Sequence, residues 1–109
     1  MPNRVVREGI LTSMAVDGLD FAAEVFYRRL MSICDDYGCW YASAALLLAY
    51  LYPLRVDSLT TADVKKWLAE CVNHGLIVVY EADGKQLLQI VRFDQTIRQK
   101  RQKFPMPEK

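Results

Sequence analysis

The amino-acid sequence predicts an α+β fold in which one helix leads directly into a two-stranded hairpin. Apolar residues recur with the spacing of one helical face at Val64, Trp67, Leu68, Cys71 and Val72. Gly75 follows, and glycine favours the left-handed conformation that ends many helices. Two β-rich runs, 76–80 and 86–91, then flank the turn-forming pair Asp83-Gly84 and indicate a hairpin. A helix followed at once by a hairpin predicts the second half of a winged helix-turn-helix domain.

A first helix is predicted after an N-terminal arm. Residues 1–18 have no clear period, and we expect an extended arm that contains one strand at most. Asp20 is a favourable N-cap, and the helix after it should run to about residue 35. Its buried stripe is predicted at Ala23, Phe26, Leu30 and Ile33.

The remaining elements come between these two helices. Residues 35–38, Asp-Asp-Tyr-Gly, predict a turn because the Asp36 side chain can bond to a nearby backbone N–H and Gly38 accepts positive φ. Residues 39–41 form a short β-prone run that could join the hairpin as a third strand. Ser43 should cap a second helix, 44–52, which Pro53 stops. The predicted order is therefore helix, short strand, helix, helix and a two-stranded wing.

Length and composition indicate one domain. The chain has 109 residues, of which 52% are hydrophobic, enough for a single core. We expect the winged-helix domain over 1–91 and a basic extension over 92–109. No run approaches the roughly 18 apolar residues of a membrane span, so no membrane partner is expected. The odd count of three cysteines favours reduced thiols and a cytoplasmic location.

The positive charge is concentrated at the C-terminal end. Residues 92–109 contain six lysines and arginines against two acids, a charge of +4, whereas residues 1–91 contain eight against eleven, a charge of −3. The strongest basic cluster is Arg98, Lys100, Arg101 and Lys103. A basic tail on a near-neutral body indicates an anionic partner such as DNA, or simply a solvated chain end.

The helix at 61–74 is the candidate recognition helix. Thr61, Lys65 and Lys66 lie off its apolar stripe and could contact phosphates or bases of duplex DNA. Lys85, at the tip of the hairpin, could reach a phosphate or the minor groove. The alternative interpretation is an ordinary solvated face, because Asp63 and Glu70 lie nearby.

The second helix is a candidate protein interface. Its residues 44–52 include no charged side chain. A helix that is apolar all round is buried on every side or covered by a partner, and a small domain leaves part of it outside. The residues predicted to form this interface are Leu47, Leu48, Tyr50 and Leu51. A second copy of the chain or another protein could cover it.

Metal binding and catalysis find little support. Cys34, Cys39, Cys71 and His74 have ligand chemistry, but Cys71 falls in the apolar stripe, where a buried thiol packs well. There is a single histidine and no glycine-rich phosphate loop after a strand. We therefore expect neither a cofactor, nor a metal, nor enzymatic activity.

The sequence resembles a family of small phage and prophage proteins. The likeness spans roughly 90 of the 109 residues in chain order. It is carried by 23–31, 35–38, 52–54, 63–68, 75–80, 83–85, 93–95 with Arg98, and 103–107. Such domains are similar to the N-terminal winged helix of phage replication initiators and replisome organisers related to bacterial primosome proteins. The resemblance implies DNA surfaces on the recognition helix, the wing and the basic tail.

This chain departs from the family pattern at its second helix. The family usually has an arginine, a proline, a lysine and a further arginine where this chain has Cys39, Ala44, Ala45 and Leu48. Those differences remove positive charge from the helix and favour a protein contact there. We expect a non-catalytic DNA-binding protein of phage-type replication or regulation. The alternative is a dimerisation or adaptor module that uses helix 44–52, and the resemblance implies a second copy or a replication protein as its partner.

Overall fold

The computed structural model describes residues 8–91, which form an α+β arrangement of four α-helices and a three-stranded antiparallel sheet. A 3₁₀ turn at Glu8–Leu11 precedes the helices α1 (Met14–Asp17), α2 (Phe21–Ile33), α3 (Ala44–Leu51) and α4 (Thr61–Asn73). The strands are β1 (Cys39–Tyr41), β2 (Ile77–Ala82) and β3 (Lys85–Ile90). The predicted extended arm is thus wrong over its described part, where local backbone bonds, such as Asp17 N–H to Ser13 O, form short helical turns instead.

Helix α2 follows its predicted apolar period but ends earlier than expected. Ala23, Phe26 and Leu30 are fully buried, while Ile33 is only half-buried. Asp20 occupies the N-cap position, yet its side chain makes no capping hydrogen bond. The helix stops at Ile33 because the next residues turn back toward the sheet, where the Asp35 N–H donates to Cys39 O at 3.0 Å.

The sheet has the order β1-β3-β2, and both pairings are antiparallel. Trp40 pairs with Leu88 across β1 and β3, which confirms residues 39–41 as the predicted third strand. Strand β3 is central, so its neighbouring residues Leu87 and Leu88 are both buried although they point to opposite faces. The hairpin, which confirms the predicted turn at Asp83-Gly84, therefore pairs with β1 along residues 86–90 of its second strand.

The three longer helices pack together around one core. Fully buried side chains from every helix and strand after α1 meet there, the largest being Phe26, Leu30, Leu47, Val64, Ile77, Leu87, Leu88 and Ile90. Trp67 packs at its border, between the rings of Phe26 at 6.4 Å and Tyr52 at 5.7 Å. Among residues 8–91 no helix is long and apolar enough to cross a membrane.

Helix α3 is held at both ends. The Ser43 hydroxyl accepts from the Leu46 N–H at 3.4 Å, as predicted for its N-cap. At the other end Arg29 of α2 donates to Leu51 O at 2.7 Å and places its guanidinium 4.6 Å from the centre of the Tyr52 ring. Residues 52–60 then connect α3 to α4, a longer link than the roughly 3–4-residue turn of a typical helix-turn-helix.

Candidate nucleic-acid interface

The candidate recognition helix α4 begins at a complete capping box. The Thr60 hydroxyl accepts from the Asp63 N–H at 3.2 Å, and the Asp63 carboxylate accepts from the Thr60 N–H at 2.9 Å. Asp63 also accepts from the Thr60 hydroxyl at 3.1 Å. Two backbone N–H groups that a helix start leaves without partners are thereby satisfied. The carboxylate of Asp63 is consequently occupied by its own helix terminus.

The second acid of α4 is occupied in a similar way, but by a different helix. Glu70 Oε2 accepts from the backbone N–H of Asp20, the N-cap residue of α2, at 2.9 Å. This contact joins α4 to the start of α2 across fifty positions of sequence. Glu70 therefore satisfies the backbone N–H of the N-cap residue of α2, which is a different bond from the one predicted for the Asp20 side chain.

The outward face of α4 consists of small and basic side chains. Val64 and Cys71 are buried on the opposite face, and Val72, predicted within the buried stripe, is 37% exposed because the neighbouring elements cover a narrower arc than the stripe. The exposed side chains on the outward face are those of Ala62, Lys65, Lys66, Ala69 and Asn73, and Thr61 is exposed beside them. The salt bridge found among residues 8–91 joins Arg28 to Glu24 on α2, so neither lysine is paired within that range.

The wing presents a more mixed charge. Asp83 and Gly84 have φ of 54° and 74°, the left-handed pair that a tight two-residue hairpin turn requires. Lys85 follows and is exposed, as predicted. Glu81 and Asp83 are exposed beside it, so the tip carries more negative than positive charge. The basic cluster Arg98, Lys100, Arg101 and Lys103 lies outside the described residues.

The predicted protein interface on α3 needs correction. Leu47 is 0% and Leu51 4% exposed, because both point into the domain's own core. Leu48 is half-buried against that core, while Tyr50 is 60% exposed and meets the Trp40 ring edge-on at 5.3 Å. On α3 and the link after it, the large exposed hydrophobic residues that the prediction missed are Leu46, Leu54 and Val56. In a helix that is apolar all round, the sequence does not indicate which face is buried. The packing of the neighbouring elements determines it.

The cysteines and the histidine do not converge. Cys71 is fully buried, and burial raises the pKa of its thiol to about 12. The His74 ring lies at the surface, with Nδ1 2.9 Å from Glu70 O. Cys34 and Cys39 are buried free thiols. Within the described range no group of three or more potential ligand residues comes together.

Sequence reasoning missed three polar residues that organise the site's surroundings: Arg29, Asp35 and Glu70. Asp35 is 6% exposed, and its Oδ1 accepts from the N–H groups of Tyr37 and Cys39, both at 2.9 Å. The local sequence does not indicate the roles of Arg29 and Glu70, because their hydrogen-bond partners lie in other elements. The position of Asp35 in a predicted turn could have indicated that its side chain accepts from nearby backbone N–H groups.

Comparisons with known proteins do not assign the chain to a family. No protein-family model, no curated protein and no solved structure matches it, so the relationship to phage replication proteins stays a prediction from the sequence.

Proposed function

We propose that this protein binds DNA without catalysing a reaction, through a winged-helix domain whose helix α4 enters the major groove. One observation carries the proposal: the two acids of α4 are engaged with backbone N–H groups, which leaves Lys65 and Lys66 unpaired by them. Asp63 closes the capping box and Glu70 reaches Asp20. The charge on the outward face of α4 is therefore available to a polyanion.

The shape of this face also suits a groove. Ala62 and Ala69 lie between the two lysines around the helix, and both are exposed. Small side chains allow a helix backbone to approach base edges closely, while lysines on either side contact phosphates or guanine. The sheet order and the hairpin after α4 are compatible with the docking geometry of a winged helix.

The net negative charge of residues 8–91 opposes DNA binding, so another part of the chain must contribute to it. Residues 8–91 contain six lysines and arginines against eleven acids, a formal charge of −5. A body of this charge repels DNA at long range, so α4 alone gives weak binding. We propose that the basic C-terminal extension supplies the remaining attraction, without sequence preference. The resemblance to phage replication domains is the basis for placing this activity in phage-type replication or regulation.

The test is a double substitution on α4. Lys65→Ala with Lys66→Ala should weaken duplex binding at least about tenfold, because the variant can no longer bind two phosphates or base edges through these ammonium groups. Fluorescence anisotropy with a random duplex at two salt concentrations measures this. The slope of log affinity against log salt should fall by about 0.9 for each phosphate that the variant no longer neutralises.

A single-charge comparison controls for net charge. Lys65→Gln and Lys66→Gln should each weaken binding, whereas Arg28→Gln on α2 removes the same charge from a residue paired with Glu24 and should change it little. Equal effects of all three variants would show that binding depends on the net charge of the protein and not on the position of the lysines on α4. An unchanged affinity in the double variant would remove α4 from the interface.

A second candidate function is a protein-interaction module. Tyr50 is 60% and Leu54 97% exposed, and Leu46 and Val56 are exposed beside them in sequence. Neighbouring exposed apolar side chains favour a protein contact over solvent. Both functions can coexist, since the apolar residues belong to α3 and the link after it, and the lysines belong to α4.

A further inference from the structure

Strand β2 forms one edge of the sheet, and half of its backbone groups point away from the protein. The Val91 N–H donates to Leu76 O at 2.9 Å, so these two residues form a hydrogen-bonded pair. In an antiparallel pairing, every second residue of β2 counted from Leu76 then bonds to β3. Val78, Tyr80 and Ala82 consequently direct their N–H and C=O groups toward β3. The groups of Ile77, Val79 and Glu81 point outward. Within residues 8–91, no backbone hydrogen bond reaches those outward groups.

The opposite edge of the sheet is partly covered. Like Tyr41, Cys39 is a β1 residue whose N–H and C=O point away from β3, since Gly38 and Ala42 bond to that strand at alternate positions. Asp35 occupies both groups: its Oδ1 accepts from the Cys39 N–H at 2.9 Å, and its own N–H donates to Cys39 O at 3.0 Å. An aspartate thus covers the outward groups of Cys39 at one edge, whereas no such cap covers the outward groups of β2 among residues 8–91.

We propose that β2 pairs with β2 of a second copy of this chain, antiparallel and centred on Val79, to give a continuous six-stranded sheet. In this register Val79 faces Val79, and Ile77 faces Glu81 of the other copy, in both directions. Every outward N–H then meets an outward C=O, so the edge is self-complementary about a two-fold axis. A register centred on Val78 or Tyr80 would pair only two of the three outward residues within β2, and one centred between two residues would oppose groups that β3 already uses.

The side chains agree with this pairing. Val78 and Tyr80 become directly opposed, non-hydrogen-bonded pairs of the β-branched and aromatic kind that stabilise sheets. Val78 and Val79 are 43% and 38% exposed, and β2 contains none of the lysines or prolines that protect natural edges. The two Glu81 carboxylates would lie four residues apart along the strands, about 14 Å, beyond the Debye length of about 8 Å.

The ends of the paired strands have room for each other. The register brings Asp83, in the turn of one copy, alongside Gly75 of the other. A Cβ at Gly75 would meet no atom within 4 Å, and the same holds for Gly84 in the turn. Neither glycine therefore places a side chain, or a nearby atom of its own chain, where the strands of the two copies end.

Charge exchange at the central residue tests the register. Val79→Lys and Val79→Glu should each weaken self-association about fivefold to tenfold, because like charges then face each other across the axis. An equimolar mixture of the two variants should restore it, since opposite charges now meet. Sedimentation velocity between about 10 μM and about 1 mM covers the range of such weak complexes. Glu81→Gln is the matched control for Val79→Lys, because it also raises the net charge by one unit, but residue 81 does not face residue 81 of the other copy.

A measurement on the unaltered chain makes the test independent of variant folding. On concentrating the protein, the amide protons of Ile77, Val79 and Glu81 should exchange more slowly in NMR spectra. The Cys39 amide, already bonded to Asp35, should not change. A wild-type chain that stays monomeric at about 1 mM, or a charge-swapped mixture that does not associate, would overturn the proposal. None of these measurements involves DNA, so they are independent of the proposed DNA binding.

Discussion

Asp35 shows how a single buried side chain can define a strand edge. Its Oδ1 accepts two backbone N–H groups, and its Oδ2 has no hydrogen-bond partner. The carboxylate is 6% exposed, so almost all of its hydration is lost on folding. Two bonds to an ionised acceptor offset that cost and fix the path of the chain from α2 into β1.

Replacing Asp35 should therefore affect stability more than its position in a turn suggests. Asp35→Ala leaves the N–H groups of Tyr37 and Cys39 without their acceptor, and we expect a loss of about 2–3 kcal/mol in the free energy of unfolding. Urea unfolding followed by tryptophan fluorescence measures this, because Trp40 lies in β1.

The matched variant keeps the acceptor. Asp35→Asn retains one carbonyl oxygen for both N–H groups and removes the buried charge, so it should cost less than half as much as the alanine variant. Equal losses in the two variants would show that charge, rather than the two hydrogen bonds, is what the turn requires.

At the scale of elements, the hairpin depends on two residues with positive φ. Gly84 has φ of 74°, and an added Cβ there would meet nothing within 4 Å. Any cost of a side chain at this position is thus conformational and does not arise from crowding. The neighbouring Asp83 already adopts φ of 54°, which aspartate tolerates better than most residues.

Because the cost at Gly84 is conformational, it should depend on how readily the new residue adopts positive φ. Gly84→Ala should destabilise the protein by about 1 kcal/mol, the cost of left-handed backbone in a residue with a Cβ. Gly84→Asn should cost distinctly less, since asparagine enters that region more readily. Thermal unfolding of both variants is the measurement. An alanine variant as stable as the asparagine variant would contradict a backbone origin.

Across the whole molecule, burial shifts the buried phenols and thiols in one direction. Burial is the largest cause in each case and raises the pKa of Tyr27, Tyr52, Tyr80, Cys39 and Cys71. For Cys71 the pKa rises from 9.0 to about 12. The folded state therefore holds these protons at pH values where the unfolded chain has released them.

Stability should consequently fall in alkali. The contribution of Cys71 is fully present below its unfolded pKa of 9.0 and is lost as the pH rises toward about 12. Because the unfolded state binds fewer protons in this window, the slope of the unfolding free energy against pH is negative. One such group contributes at most about 1.4 kcal/mol per pH unit. Urea unfolding at several pH values between about 8 and 11 measures the slope.

Cys71→Ala separates this thiol from the other groups. The variant loses stability at every pH through the space left in the core, but its slope between about pH 9 and 11 should be shallower than that of the wild type. Parallel curves for the two proteins would show that Cys71 does not titrate differently in the folded state.

The order of the elements could be predicted from sequence because their signals are local. The period of α4, the Asp83-Gly84 turn, the Ser43 cap and the β-prone run 39–41 each depend on residues a few positions apart. The candidate lysines on α4 followed from the same period, because the buried stripe defines the opposite face. The partner of Glu70 could not be predicted, since Asp20 is fifty residues away, whereas Asp63 bonds to Thr60 only three residues before it.

Sequence alone thus determined which segments after residue 20 become helices and strands, and where the charged residues of α4 lie relative to its apolar stripe. Tertiary structure decided which side of the uniformly apolar α3 is covered, how Asp35 and Glu70 are used, and which edge of the sheet is left open. The physical reason is range: periodicity and capping act within a few residues, whereas burial, cross-element hydrogen bonds and sheet edges exist only after distant segments meet.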